Sequence, residues 1–412
     1  MSPAPSAPRR LTLILLLGSL VALGPATIDM YLPALPAMVD DLRAAPSLTQ
    51  LTITGTLLGL AFGQLAIGPM SDAMGRRKPL LAGVTLHVAS SVLCALAPNI
   101  AVLGVLRVLE GVGAAAGSVV AMAIVRDLYS GRAAATLMSR LVLVLGVAPV
   151  LAPTLGGWLL AVTSWRGVFV ALAVYGLLLL PTALFLLPET LPVERRRPAG
   201  ARSVVQTVGR LLRDRAYVGL VLMAGLNFAA MFAYIAGSSF VFQQEFGLDE
   251  QQYGLLFGAC AVFIISASQL NAWLLRRFEP RRLVVVALVG GAVSATAVLT
   301  SALSGLGFAG IVLPLWGTLF FVGLATPNGQ ALAMGRHGGA AGTAAALLGA
   351  AQFGVGAAIS PLVGALGNDS VAMAAAMTGS LLLGLVVLLA VVRPWQLADL
   401  DAEDHVPAAE PA

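Results

Sequence analysis

The chain has 412 residues, 58% of them hydrophobic and only 10% charged, and its mean hydropathy is +0.92. A soluble domain carries about 25% charged residues, so this composition excludes a water-facing globule and implies an integral membrane protein. The net charge of +5 is no nucleic-acid signal: the basic residues are arginines apart from Lys78, and their placement matters more than their number.

Windows of about 20 apolar residues, the length that spans a bilayer, predict twelve spans. They lie over 11–33, 49–70, 80–97, 100–122, 136–159, 165–187, 216–242, 253–274, 283–303, 308–330, 342–366 and 370–391. Arg9 and Arg10 precede the first span, as in a signal peptide, but no convincing cleavage site precedes Asp29. The segment reads as an uncleaved first span.

Asp29 lies near the end of that span, in Leu23-Gly24-Pro25-Ala26-Thr27-Ile28-Asp29-Met30-Tyr31-Leu32-Pro33. A carboxylate in an apolar span is costly and marks a functional site by default. Its neighbours Met30 and Tyr31 are candidate substrate contacts. The loop after span two, Gly68-Pro69-Met70-Ser71-Asp72-Ala73-Met74-Gly75-Arg76-Arg77-Lys78, has glycines that permit close helix approach and a tight two-residue connection. Asp72 there is placed to meet an arginine or the positive end of a neighbouring helix.

Span three holds His87 and Cys94, and span four holds Arg107 and Glu110, three residues apart and so on one helix face. A charge in a span normally points inward and is paired, so simple neutralisation of Arg107 by Glu110 is one reading. By helix rise, Asp29 and Arg107 each lie roughly 6 to 11 Å below the same membrane edge. Asp29, Arg107 and Glu110 are therefore expected to share one layer of a cavity. Span five carries Gly146, Pro149, Pro153, Gly156 and Gly157. The prolines remove helix hydrogen bonds and bend the segment; a dedicated hinge and ordinary small-residue packing both fit the pattern.

Residues 188–215 form the longest polar stretch, with seven arginines and Pro188, Pro192 and Pro198, and read as a linker. Within it Leu211-Leu212-Arg213-Asp214-Arg215 is a candidate short surface helix. The organisation is a first six-span bundle over 1–187, the linker over 188–215, a second bundle over 216–391 and a tail over 392–412. The loop after span eight, with Arg276-Arg277 and Arg281-Arg282, echoes the loop after span two, as expected of a two-lobed transporter.

Span seven offers Asn227, Phe228, Phe232 and Tyr234, span ten Asn328, and span eleven Gln352 and Phe353. Asn227, Phe232, Tyr234 and Gln352 are candidate substrate contacts, and helix-linking polar groups are the alternative reading. His87, His337 and His405 stand apart and make no metal or catalytic set, and Cys94 and Cys260 read as small core residues. The tail, with Asp399, Asp401, Glu403, Asp404, Pro407 and Pro411, reads as disordered.

With the N-terminus cytoplasmic, 21 of the 24 basic residues fall in cytoplasmic segments. Arg43 and Arg166 are external and Arg107 is within a span. This asymmetry places both termini in the cytoplasm and, for a bacterial protein, the chain in the inner membrane.

Gly68-x-x-x-Asp72-x-x-Gly75-Arg76-Arg77-Lys78 resembles the signature loop of the major facilitator superfamily. Asp29-Met30-Tyr31-Leu32-Pro33, Arg107-x-x-Glu110-Gly111, Arg126-Asp127-Leu128 and the span-five Gly/Pro pattern narrow it. Together they resemble the drug:proton antiporter branch typified by bicyclomycin and chloramphenicol exporters. Pro327-Asn328-Gly329 and Ala340-Ala341-Gly342 extend the likeness into the second half. The resemblance implies the two-lobed twelve-helix fold. It also implies that Asp72 latches the lobes in one state, with Arg76, Arg77 and Asp127 as partners; for the arginines a topology signal is the alternative. The branch usually has Gln where this chain has Glu110.

The reading is a monomeric exporter of small amphipathic drugs coupled to protons, with Asp29 or Glu110 as the proton carrier. A close Arg stabilises the ionised carboxylate, so Glu110 holding Arg107 would leave Asp29 free to titrate. The alternative is a facilitator or importer of a metabolite on the same fold. An enzyme is disfavoured because no nucleophile and base set, metal cluster or phosphate loop is present. No cofactor, nucleotide or nucleic acid is expected.

Overall fold

The computed structural model describes residues 7–129, 131–196, 201–335 and 341–396. His337, Ala340, His405, Arg197, Pro198, the acids from Asp399 to Asp404, Pro407 and Pro411 lie outside the described residues.

The first bundle contains α1 (Ala7–Asp29), a short α2 (Leu35–Asp41), α3 (Pro46–Met74), α4 (Arg77–Ala95), α5 (Ile100–Leu128), α6 (Gly131–Leu160) and α7 (Trp165–Leu186). A linker helix, α8 (Ala201–Leu211), precedes the second bundle. That bundle contains α9 (Arg215–Phe240), α10 (Glu250–Leu274), α11 (Pro280–Leu303), α12 (Gly307–Gly335), α13 (Ala341–Ala365) and α14 (Ser370–Val387). Among the described residues eleven helices are long and apolar enough to cross a membrane, and Val144–Leu160 within α6 is a shorter twelfth. Every predicted span coincides with one of these helices. The protein is an all-α, multi-pass membrane protein.

Local chemistry sets the helix ends. Asn99, Asp214 and Asp369 cap α5, α9 and α14 by accepting from backbone N–H groups, and Asp249 forms a reciprocal capping box with Gln252 at α10. The Asp214 cap corrects the surface helix expected at 211–215. The helix ends at Leu211, and Asp214 begins α9 by accepting from Ala216 and Tyr217. The connection between α3 and α4 is two residues, with Gly75 at φ +92°, a backbone region that disfavours any side chain.

In the first bundle α5 packs on α1, α3 and α4; in the second α9 packs on α12, α13 and α14. Backbones come close where α3 meets α5. A Cβ at Gly59 would collide with the Val108 carbonyl, and one at Gly111 with the Thr56 carbonyl. The bundles join by a reciprocal exchange. The second span of each, α3 or α10, packs on the fifth span of the other, α13 or α6.

The cross-bundle hydrogen bonds cluster toward the end of the molecule opposite the linker. Gln50 donates to Ala236 O (3.0 Å) and Asn368 Oδ1 (2.5 Å), and Thr54 donates to Ala357 O (2.7 Å). Ser239 donates to Leu32 O (2.7 Å), Gln243 to Pro33 O (3.1 Å), and Thr154 to Gly254 O (3.1 Å). The two bundles are closed against each other at this end.

Candidate functional site

Asp29 is the last residue of α1. The chain then turns through Met30 and Tyr31 into a 3-10 turn at Leu32–Ala34 before α2 starts. The expected first span to residue 33 is thus a helix broken at the acid. Its carboxylate lies where the helix carbonyls concentrate partial negative charge, a position that disfavours an anion. Asp29 is 4% exposed, and no hydrogen bond or cation partners its carboxylate among the described residues. Its charge is felt by the Tyr234 and Tyr253 hydroxyls of the second bundle. It therefore sits at the seam between the bundles.

Arg107 and Glu110 are 0% exposed and form an ion pair (Nη1 to Oε2, 2.5 Å). Arg107 also donates to Thr27 O (2.9 Å) and lies 4.1 Å above the Tyr31 ring, with Phe169 beside it at 5.4 Å. This puts Arg107 at the depth of residues 27–31. Glu110, however, faces α4 within the first bundle. It accepts from Ser91 (2.7 Å), and the Cys94 thiol is 4.0 Å away. The cavity layer expected for Asp29, Arg107 and Glu110 does not form here: the pair is sealed inside the first bundle, and Asp29 stands apart from it. His87, which seemed isolated in sequence, has Nδ1 3.5 Å from Glu110 O and an unpartnered, buried Nε2.

The substrate candidates are placed as follows. Met30 is half-buried, its carbonyl against Gly156. Tyr31 is fully buried between Arg107, Phe169 and Thr52, whose Oγ1 is 3.2 Å from its hydroxyl, so it faces no open cavity in this conformation. Asn227 donates to Val322 O (3.3 Å) and Thr326 Oγ1 (3.1 Å), while its Oδ1 is buried and unpartnered. Phe232 packs at a tilt against Phe228, which meets Phe353 edge-on. Tyr234 is stacked on Phe257 at 5.2 Å, and Gln352 is buried.

At the linker end, Arg76 binds Asp72 (2.5 Å) and Asp127 (2.8 Å), and its Nη1 also donates to Ser71. All of these residues belong to the first bundle, so Asp72 makes no lobe-to-lobe latch in this conformation; its side chain is 59% exposed. Arg77 donates to Leu184 O, away from the acids. Gly68 has open space where a Cβ would point, which corrects its expected close helix approach.

Sequence reading missed Glu189 and Thr190. Glu189 accepts from the backbone N–H of Arg76 (2.8 Å), Arg77 (3.3 Å) and Leu191 (3.0 Å), with the Arg196 guanidinium 4.0 Å away. Partial burial works against its charge, but those hydrogen bonds and Arg196 outweigh it and hold the carboxyl below the usual range. Thr190 donates to Asp127 (2.9 Å). An acid directly after span six, beside the signature loop's arginines, was the available signal.

The α6 helix runs unbroken through Pro149 and Pro153. Its small residues make the seam with the second bundle. A Cβ at Gly157 would come 2.5 Å from Glu250 O, and one at Gly254 would come 2.8 Å from Pro153 O. Gly156 accommodates the Met30 carbonyl, whereas Gly146 has only ordinary contact with Ile265. Gln50, Thr154, Ser239 and Gln243, the closing residues of this end, were also missed; each is an uncharged polar residue near a span end, where polar residues are common.

The sequence profile of the Major Facilitator Superfamily matches residues 15–361. An uncharacterised MFS-type transporter of Bacillus subtilis (strain 168) is 39% identical over 92% of this chain and 95% of its own. A bicyclomycin resistance protein homolog of Haemophilus influenzae is 32% identical over 87% and 90%. The crystal structure of a D-xylose-proton symporter superposes with a TM-score of 0.71 at 17% identity, covering 93% of this chain and 97% of that one.

Proposed function

The chain belongs to the Major Facilitator Superfamily and is a membrane transporter rather than an enzyme, and from that premise we propose that it exports small amphipathic drugs in exchange for protons. Similarity to a bicyclomycin resistance homolog supports the substrate class. The observation that carries the proton is the state of Asp29: buried, at a helix C-terminus, without a cation.

A carboxylate removed from water without a partner is costly as an anion, so protonation relieves that cost. Glu110 is differently placed. Its charge is met by Arg107 and Ser91, and a proton there would break a formed ion pair. Asp29 is therefore the proton carrier and Arg107–Glu110 a fixed structural pair. Antiport requires drug and proton to disfavour each other by about 1–3 kcal/mol, acting reciprocally, and competition for one carboxylate supplies that coupling.

The transporter works by alternating access as a monomer in the bacterial inner membrane, with both termini cytoplasmic. The end closed by Gln50, Ser239 and Gln243 is then external, and this conformation faces the cytoplasm. Asp72, Arg76, Arg77 and Asp127 act as the latch in the opposite state, with Gly68 and Gly75 in the same loop. Gly146, Pro149, Pro153, Gly156 and Gly157 form the seam on which the bundles rock. The arginine distribution supports the orientation. No nucleotide or cofactor enters the cycle. The metabolite-importer reading is less well supported, because Arg107 is already occupied by Glu110 and offers no charge to an anionic metabolite.

Transport into vesicles under an imposed pH gradient tests the proposal. Uptake of a phenicol or lipophilic cation into inverted vesicles, with protons moving out, is expected. Drug movement indifferent to the gradient would overturn it.

A further inference from the structure

Among the buried polar atoms of the second bundle without a hydrogen-bond partner, two donors flank one thiol. One is the hydroxyl of Tyr234 on α9, a residue only 2% exposed; the other is Nε1 of Trp316 on α12. The Cys260 sulfur on α10 is the one group both donors are directed at, and as a weak acceptor outside ordinary hydrogen-bond geometry it leaves both poorly satisfied. Leaving buried polar groups unpaired is a standing cost, and most native groups avoid it.

Both rings are held rigidly. Tyr234 is stacked on Phe257 (5.2 Å, 20° between planes), and Trp316 on Phe263 (4.8 Å, 16°). Both phenylalanines come from α10, so one helix supplies two flat aromatic shelves and the thiol between them. Tyr253, edge-on to Phe257, is already satisfied by Ser238 at 2.9 Å. The orphaned hydroxyl is therefore not a general property of this cluster. Tyr234 and Tyr253 both lie within electrostatic reach of Asp29 on the other bundle.

The donor inventory fixes the chemistry of what belongs there. An indole nitrogen only donates, a tyrosine hydroxyl donates readily, and the thiol sulfur between them is only a weak acceptor. The common complement of the two donors is an oxygen with free lone pairs. The aromatic shelves favour a flat apolar body around that oxygen, and the uncompensated Asp29 nearby disfavours an anion.

We propose that Tyr234, Trp316 and Cys260 form a subsite that receives an oxygen acceptor of the transported molecule, a carbonyl, ether or hydroxyl oxygen on a flat apolar body. The inference rests on the drug-export reading and sharpens it. Substrates engage the second bundle through an acceptor oxygen while Asp29 serves the first. Compounds without an acceptor bind without this contribution, and a site built to satisfy buried donors discriminates against them.

The test is binding of two probes to the purified full-length protein: chloramphenicol, which carries amide and hydroxyl oxygens on an aromatic body, and tetraphenylphosphonium, which carries no acceptor. Tyr234→Phe removes only the orphaned hydroxyl, so its melting temperature does not fall below that of the wild type. Trp316→Phe keeps a ring on Phe263. For each variant the Kd for chloramphenicol is expected to rise about ten-fold, with that for tetraphenylphosphonium unchanged. An equal shift for both probes, or none for either, overturns the subsite. Wild-type protein that binds tetraphenylphosphonium but not chloramphenicol also overturns it, while leaving drug export standing. Binding of neither probe removes the export reading and the subsite with it.

Discussion

Arg107 is bound to Glu110 at 2.5 Å inside the first bundle, both side chains fully buried, and this pair leaves Asp29 as the unpaired carboxylate at the seam. The two acids are alike in sequence terms, each an ionisable group in an apolar helix. Their surroundings give them opposite consequences for stability and transport.

Breaking a buried ion pair strands the remaining charge and costs about 3–5 kcal/mol. Glu110→Ala is therefore expected to lower the unfolding temperature of the purified protein markedly. Glu110→Gln also leaves the Arg107 charge without its counter-ion but retains a carbonyl oxygen for Arg107 and Ser91, so its loss of stability should be smaller than that of Glu110→Ala, with the fold and most of the transport kept. Asp29→Asn removes an uncompensated charge, so thermal unfolding should show no loss of stability. Destabilisation by Asp29→Asn equal to that of Glu110→Ala would mean that Asp29 has a cationic partner.

Gln50 ties α3 to the second bundle through two hydrogen bonds, to Ala236 and Asn368. Each such bond contributes about 0.5–1.5 kcal/mol. Together they are worth about 1–3 kcal/mol, so Gln50→Ala should raise the population open at that end by about 5- to 150-fold. Spin labels at the exposed positions Ala45 and Leu366 report it as a second, longer distance. An unchanged distance distribution would remove Gln50 from the gate.

Gly157 lies against the Glu250 carbonyl of the second bundle, and the smallest side chain would collide with it. Gly157→Ala should disfavour closure at the same end, so the same label pair should again show the longer distance, now as the main population. Drug transport should fall, while Gly146→Ala, which meets only Ile265 at 3.6 Å, should be tolerated.

How much of this was legible in the sequence depended on range. The twelve spans were legible because apolar length alone decides a span, and Asp29 was legible because a lone acid in such a span stands out. The pairing of Arg107 with Glu110 follows from their spacing of three. The direction in which the pair points does not. It depends on the rotation of α5, which the Gly59 and Gly111 contacts with α3 fix across 52 positions of sequence. The gate residues Ser239 and Gln243 were silent because they donate to carbonyls of Leu32 and Pro33, and a backbone acceptor leaves no residue signature. The helix expected at 211–215 failed because Asp214 competes as a cap, a local choice that its side chain settles.

The linker-end network carries a pH signature through Glu189. Its carboxyl is held below the ordinary value in the folded protein, so it binds protons less readily there than in the unfolded chain. It thus contributes stability above the unfolded value of about 4.3. That contribution is lost as pH falls through the lowered folded value. Glu189→Gln should accordingly unfold at a lower temperature than wild type at pH 7, with the difference shrinking below about pH 4. A difference that persists undiminished in acid would assign the effect to packing instead of charge.

The most direct test of the central claim is proton movement measured with a pH-sensitive dye in vesicles carrying wild-type or Asp29→Asn protein, after addition of a transported drug. Wild type should move protons against drug, and Asp29→Asn should move none while still binding the drug. Undiminished proton movement in Asp29→Asn vesicles would contradict the account and transfer the coupled proton to another group.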